Sequence, residues 1–132
     1  MAMRKMLIVA GVFFLSSSLA YAKDPDWKLS GSAADDEIYF DQNNYENKQG
    51  AITFWLLFNS RKPDGKVLSY TVKHALDCAK DATTVKMIVN YPEPMGKGQP
   101  IEVVENDVLL PDEMPGSYYG KLKALLCGKS TK

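Results

Sequence analysis

Apolar and polar side chains follow a two-residue period through most of the chain and a helical period only near its end. Trp27 and Leu29 alternate with polar neighbours, and Ile38-Tyr39-Phe40 follows a turn-rich stretch from 30 to 36. These aromatic and β-branched residues suit a pleated, half-buried surface, so both stretches are predicted strands. Residues 41–50 are mostly polar, close on Gln49-Gly50, and read as a loop. Residues 52–58 then form an apolar run broken only by Thr53, too short for a helix of ordinary length. As a central strand, it puts Ile52, Phe54, Leu56 and Phe58 on one face and Trp55 and Leu57 on the other.

Lys62-Pro63-Asp64-Gly65 is a turn signal, because proline presets one backbone angle and glycine permits the left-handed one. A strand over Val67–Asp77 completes the hairpin, with Tyr70, Val72, His74, Leu76 and Cys78 sharing one parity. Val85, Met87, Val89 and Tyr91 alternate again, until Pro92 and Pro94 break the pattern ahead of a turn at Met95-Gly96-Lys97-Gly98. Residues 101–104 predict a short strand, and 108–110 another strand or a packed connector. From Ser117 to Cys127 the period changes: Tyr118, Leu122 and Leu125 form one stripe with Leu126 beside it. Ser117 can cap this helix and Gly128 can stop it, although Gly120 costs its interior about 1 kcal/mol. About six strands followed by one helix predict an α+β domain, an antiparallel sheet with the helix on one face.

The first 22 residues are set apart from this domain. Arg4 and Lys5 precede the apolar run 6–15, then three serines, then Ala20-Tyr21-Ala22. That is the layout of a secretory signal peptide cut after Ala22, giving a leader at 1–22 and a single domain at 23–132. The alternative, a membrane anchor, needs roughly 20 apolar residues and finds about ten. No cysteine lies near the cut to accept a lipid, so neither a lipid anchor nor a transmembrane anchor is expected. The compartment predicted is the periplasm, the cell surface or the medium.

Composition narrows the chemistry. Sixteen basic side chains balance sixteen acidic ones across 132 residues, and loss of Arg4 and Lys5 leaves 14 against 16. A nearly neutral surface argues against nucleic acid, whose binding rests on a surplus of Lys and Arg. Cys78 and Cys127 are the two cysteines, and an oxidising compartment favours pairing them with each other. Two free thiols or a disulfide-linked dimer remain the alternatives.

Several residues together resemble the surface-adhesin protein E family of Gram-negative bacteria. They are Trp27, Ile38-Tyr39-Phe40-Asp41, Trp55, Asp77-Cys78, Met95-Gly96-Lys97-Gly98, Pro115-Gly116-Ser117 and Cys127, a spread over nearly all of the mature chain. The resemblance implies a curved antiparallel sheet with a C-terminal helix across its concave side and a disulfide tying the two. The adhesin that names the family is lipid-anchored at the cell surface and binds host extracellular-matrix proteins. This chain departs from it in lacking the acceptor cysteine.

Catalytic readings are weak by comparison. His74, the single histidine, has no second histidine or free thiol to build a metal site, and a structural role fits its apolar face better. Asp35-Asp36-Glu37 and the Glu102, Glu105, Asp107 set could supply paired carboxylates, but charges in turns are ordinarily solvated. Gly96-Lys97-Gly98 lacks the spacing of a phosphate loop, and Ser69 and Ser117 lack a nucleophile-elbow context. No enzyme activity, cofactor or metal is expected. The expected function is a binding protein with Trp55 and Leu57 as candidate interface residues on an open aromatic face. Its partner would be a host extracellular-matrix protein, an envelope protein or a second copy in a homodimer. A periplasmic accessory or inhibitor protein is the alternative.

Overall fold

The computed structural model describes residues 23–33, 35–111 and 117–128; the leader at 1–22 and Pro115-Gly116 lie outside them. Seven strands, a single 3-10 turn and one α-helix follow in order among these residues: β1 Trp27–Ala33, β2 Asp36–Asp41, β3 Glu46–Lys48, β4 Ala51–Asp64, β5 Val67–Asp77, β6 Ala82–Tyr91, the turn Pro94–Gly96, β7 Glu102–Leu109 and α1 Tyr118–Leu126. The strands make one antiparallel sheet, β1-β2-β4-β5-β6-β7, with β3 paired to the start of β4 beside β2. It is an open, curved sheet with α1 on its concave face, as the α+β pattern and the family resemblance predict.

Three boundaries differ from the sequence pattern. The predicted loop at 41–50 contains β3, whose three exposed residues carry no apolar signal. Lys48 pairs with Ala51 across Gln49 and Gly50, both at positive φ (55° and 86°), the backbone that suits the twist of a tight hairpin. β4 runs on to Asp64, so the turn shifts to Gly65-Lys66, where Gly65 takes φ +71°. Finally, the two predicted pieces at 101–104 and 108–110 are a single strand, β7. Glu105, Asn106 and Asp107 interrupt its apolar pattern because an edge strand need not bury either face.

β4 is buried on both sides. Toward the helix, Ile52, Phe54, Leu56 and Phe58 join Ile38, Val72, Leu76 and Leu122 in the main core. Ser117 caps α1, its Oγ accepting the Gly120 N–H at 3.1 Å, and Gly128 leaves the helix at φ +70°. The buried stripe is Tyr118, Tyr119, Leu122 and Leu126, whereas Leu125, predicted to lie on it, is 75% exposed. Tyr119 and Cys127 set this rotation: one bonds His74 and the other is disulfide-bonded to Cys78. At the helix start the Tyr118 ring lies on Gly31, so close that a Cβ there would stand 2.8 Å from its Cδ1. A side chain at residue 31 would push the helix off β1.

The Cys78–Cys127 bond closes a loop of sequence separation 49, worth about 4 kcal/mol in the chain-entropy model. A nine-residue helix is marginal on its own in water. Reduction is expected to free α1 before the sheet melts, exposing Lys121 and Lys123 to trypsin while β-sheet circular dichroism persists. An unchanged cleavage rate after verified reduction would refute this order of events.

Candidate binding surface

Strand parity leads one to expect an open outer face around Trp55 and Leu57. Instead it is covered. Leu57 has no exposed surface and Trp55 retains 9%, within a second cluster that holds Val89 and Tyr91. Trp27, Met87 and Val103 pack around that cluster. Over Leu57 the cover is the segment between β6 and β7. Its Met95 N–H donates to Asn59 Oδ1 at 2.9 Å, and its Gly96 N–H donates to Ser69 Oγ at 2.9 Å. Ser69 Oγ in turn donates to the Glu93 carbonyl at 2.6 Å. Gly96, at φ +66°, passes directly over Leu57, Thr71 and Tyr91, where a Cβ would already touch all three. The expectation of an accessible Trp55 and Leu57 is therefore corrected. A two-residue period assigns a residue to a face but cannot show that a distant loop folds back over it.

Below this cover the outer face opens into two shallow depressions. One, of about 570 Å³, lies between Lys73, Lys86 and Met87 and the β7 residues Glu105 and Asp107. The other, of about 450 Å³, is floored by Ala51, Thr53, Ala75 and Thr84 and flanked by Leu109. A third hollow, of about 290 Å³, separates α1 from β1 and β2 and is lined by Phe40, Leu122 and Leu126. Shallow, mixed-charge hollows suit contact with a macromolecule better than enclosure of a small substrate.

The candidate catalytic groups are dispersed. His74 is fully buried beneath α1, stacked on Phe54 with ring centroids 4.8 Å apart. Its Nδ1 lies 3.1 Å from the Val72 carbonyl and so donates, leaving Nε2 to accept from the Tyr119 hydroxyl at 3.1 Å. Burial holds its pKa down to about 4, against a small upward pull from the Val72 carbonyl. Glu37 accepts from Tyr39, Asp36 from Tyr70 at 3.4 Å, and burial together with Asp36 pushes Tyr70 up to about 12. Glu102, Glu105 and Asp107 line up along β7 on the far edge. Among the described residues no group of three His, Cys, Asp or Glu side chains could hold a metal ion.

The carboxylate that matters structurally is Asp41, which belongs to no catalytic pattern in the sequence. It is fully buried at the end of β2, where Oδ1 accepts the N–H groups of Asp26 and Asn43 and Oδ2 accepts from Asn44. Asn44 also bonds both backbone groups of Lys23, and Asn43 donates to the Asp24 carbonyl. The Asp-x-Asn-Asn spacing is visible as a turn-forming signal, but only the structure shows that it fastens the chain ahead of β1.

Comparison with known proteins follows the fold. The surface-adhesin protein E family is matched over residues 27–128. The chain belongs to that family. Two crystal structures of Haemophilus influenzae protein E share the fold, each with a TM-score of 0.56. Crystal form II is 15% identical and covers 83% of this chain and 100% of its own, and the selenomethionine form is 16% identical and covers 86% and 98%. A sequence search among curated proteins finds no match. At such identity the likeness to protein E speaks for the fold, while the family assignment rests on the match over residues 27–128.

Two outcomes are expected of this geometry. Trp55→Ala should cost roughly 3–5 kcal/mol of stability, read from urea midpoints, because it empties part of a closed cluster. A variant as stable as the parent would return Trp55 to the surface. Stability should also fall as pH drops. The folded His74 pKa, about 4, lies below the unfolded 6.5, so only the unfolded chain takes up the proton between them. The contribution is full above pH 6.5 and is lost toward pH 4, by roughly 3 kcal/mol in all. With one histidine in the chain, His74→Gln should flatten unfolding curves compared between about pH 6.5 and 5. An unchanged slope would contradict the assignment.

Proposed function

We propose that the protein is exported and, once residues 1–22 are removed, works as a non-enzymatic binding protein that contacts a host or envelope macromolecule. Membership of an adhesin family over residues 27–128 carries this reading. The architecture supports it: a rigid sheet with a disulfide-tethered helix holds its surface in one conformation, which lowers the ordering cost of binding. Among the described residues no helix is long and apolar enough to cross a membrane. The absence of a cysteine beside the cut favours a protein held in the periplasm or released, rather than one lipidated like a bacterial lipoprotein.

The test is fractionation of native cells followed by affinity capture with the mature protein. N-terminal mass measurement should begin at Lys23 without added lipid. Capture of a matrix protein with display on intact cells supports the adhesin reading. Capture of an envelope protein with retention inside the outer membrane supports an accessory or inhibitor role. An exported chain with an intact Met1, or one with turnover on a chemical substrate, would sink the proposal.

A further inference from the structure

The two ends of the sheet are built differently. β1, at one end, is interrupted by a bulge between Leu29 and Gly31 and is tied to the helix by the Ser30 and Tyr118 hydroxyls, 2.8 Å apart. β7, at the other, is eight residues long and among the described residues pairs only with β6, with one register shift between Val85 and Met87. It has no proline or lysine, the residues that commonly blunt an edge, and every residue but Val103 is exposed. Ile101 and Leu110, which flank it, give their N–H groups to Asn90 and Thr83 of β6. The Asn90 carbonyl faces β7 and Asn90 is in register with Glu102, so Glu102 and Val104 face β6, and by alternation Val103, Glu105 and Leu109 turn their N–H groups away from the sheet.

Side chains sort by face as well. Val104 and Val108 share the concave side with Ile88 and Val85, and are 40% and 48% exposed. Glu105 and Asp107 project to the outer side, where Asp107 meets Lys86 at 2.9 Å in a solvent-exposed pair of little intrinsic strength. Residues 102–113 carry five carboxylates (Glu102, Glu105, Asp107, Asp112 and Glu113) and no basic side chain.

We propose that β7 is a strand-addition edge that takes an extended peptide whose side chains alternate between apolar and basic. The outward backbone groups supply the hydrogen bonds, Val104 and Val108 receive the apolar side chains, and Glu105 and Asp107 receive the basic ones. A second copy joined edge to edge is disfavoured, because it would set β7 carboxylates against each other. This deepens the binding reading by naming its surface, and it rests on that reading for its biological use.

The probe is a fluorescently labelled Lys-Val-Lys-Val-Lys-Val-Lys peptide, titrated onto the mature, oxidised protein and read by anisotropy. Binding should weaken with added salt, and the Glu-Val counterpart should not bind. Glu105→Pro removes an N–H that faces away from β6, so the ladder survives and peptide affinity should fall at least about tenfold below that of Glu105→Gln, which loses the same charge. The double change Glu105→Lys and Asp107→Lys should reverse the preference toward the Glu-Val peptide. Equal binding by folded Glu105→Pro and Glu105→Gln, or equal affinity for both peptides, would overturn the proposal. So would a dimer seen by sedimentation that Glu105→Pro dissolves. If Glu105→Pro does not fold, the charge reversal decides alone: an unchanged preference overturns the proposal. Capture of the native partner by Glu105→Gln and folded Glu105→Pro alike would overturn the edge while leaving the binding function standing.

Discussion

β4 is the strand whose burial organises everything else. Its alternate residues Ile52, Phe54, Leu56 and Phe58 face one side of the sheet and Trp55 and Leu57 face the other, and all six are buried. A strand with one apolar face needs one cover; this strand needs two. Each large apolar side chain removed from water contributes about 1.5–3 kcal/mol, so leaving either side open would forfeit several such terms. The two covers come from opposite ends of the later chain: α1 closes the concave side, and the segment between β6 and β7 closes the outer side over Leu57 and Tyr91.

The covers are held by different means, which follows from what each can bury. The outer segment is short and polar, and it is pinned through backbone N–H groups to Asn59 and Ser69 on the sheet. The helix brings Tyr118, Tyr119, Leu122 and Leu126, but nine residues bury too little to dock firmly alone. It is fastened at both ends, by the Ser117 cap and the fit of Tyr118 against Gly31 at the start and by the disulfide at the finish. His74 joins the two layers midway. A neutral imidazole there can both donate to Val72 and accept from Tyr119, which phenylalanine could not do and a charged imidazole could do only in part. The only histidine in the chain is thus a structural connector, and the low pKa is the consequence of its position.

Much of this fold is legible in the sequence because periodicity reports burial. The parity of β5 alone puts His74 and Cys78 on the helix side, and that is where they lie. The parity of β4 likewise assigns its two faces correctly. What periodicity cannot carry is anything decided at long range. It places Trp55 and Leu57 on the right face yet leaves them open, because nothing in their own strand records that Gly96 returns over Leu57 or that Trp27 and Val103 pack around the Trp55 cluster. It places Leu125 on the buried stripe, since three- and four-residue spacings fit either side of Leu122 equally; the disulfide and the Tyr119–His74 bond choose the rotation. It divides β7 in two, because an edge strand with polar residues at its middle leaves no alternating signal.

Covering both faces has a consequence for recognition. Surface open to a partner must then lie in the shallow hollows between side chains or along the sheet's two ends. The ends are not equivalent, because the helix that completes the core sits nearer β1 and takes part of that edge into its own contacts. β7 is the strand farthest from that contact, and among the described residues nothing guards it in the same way. Its concave residues Val104 and Val108 continue the apolar row of β6, so the main core fades out toward that edge instead of ending at a polar wall. The physical demand that closes the middle of the sheet is therefore also what leaves one end unfinished. Protein E shares this fold at 15–16% identity, so the architecture holds through wide change in sequence, and a shared fold does not carry a shared partner with it.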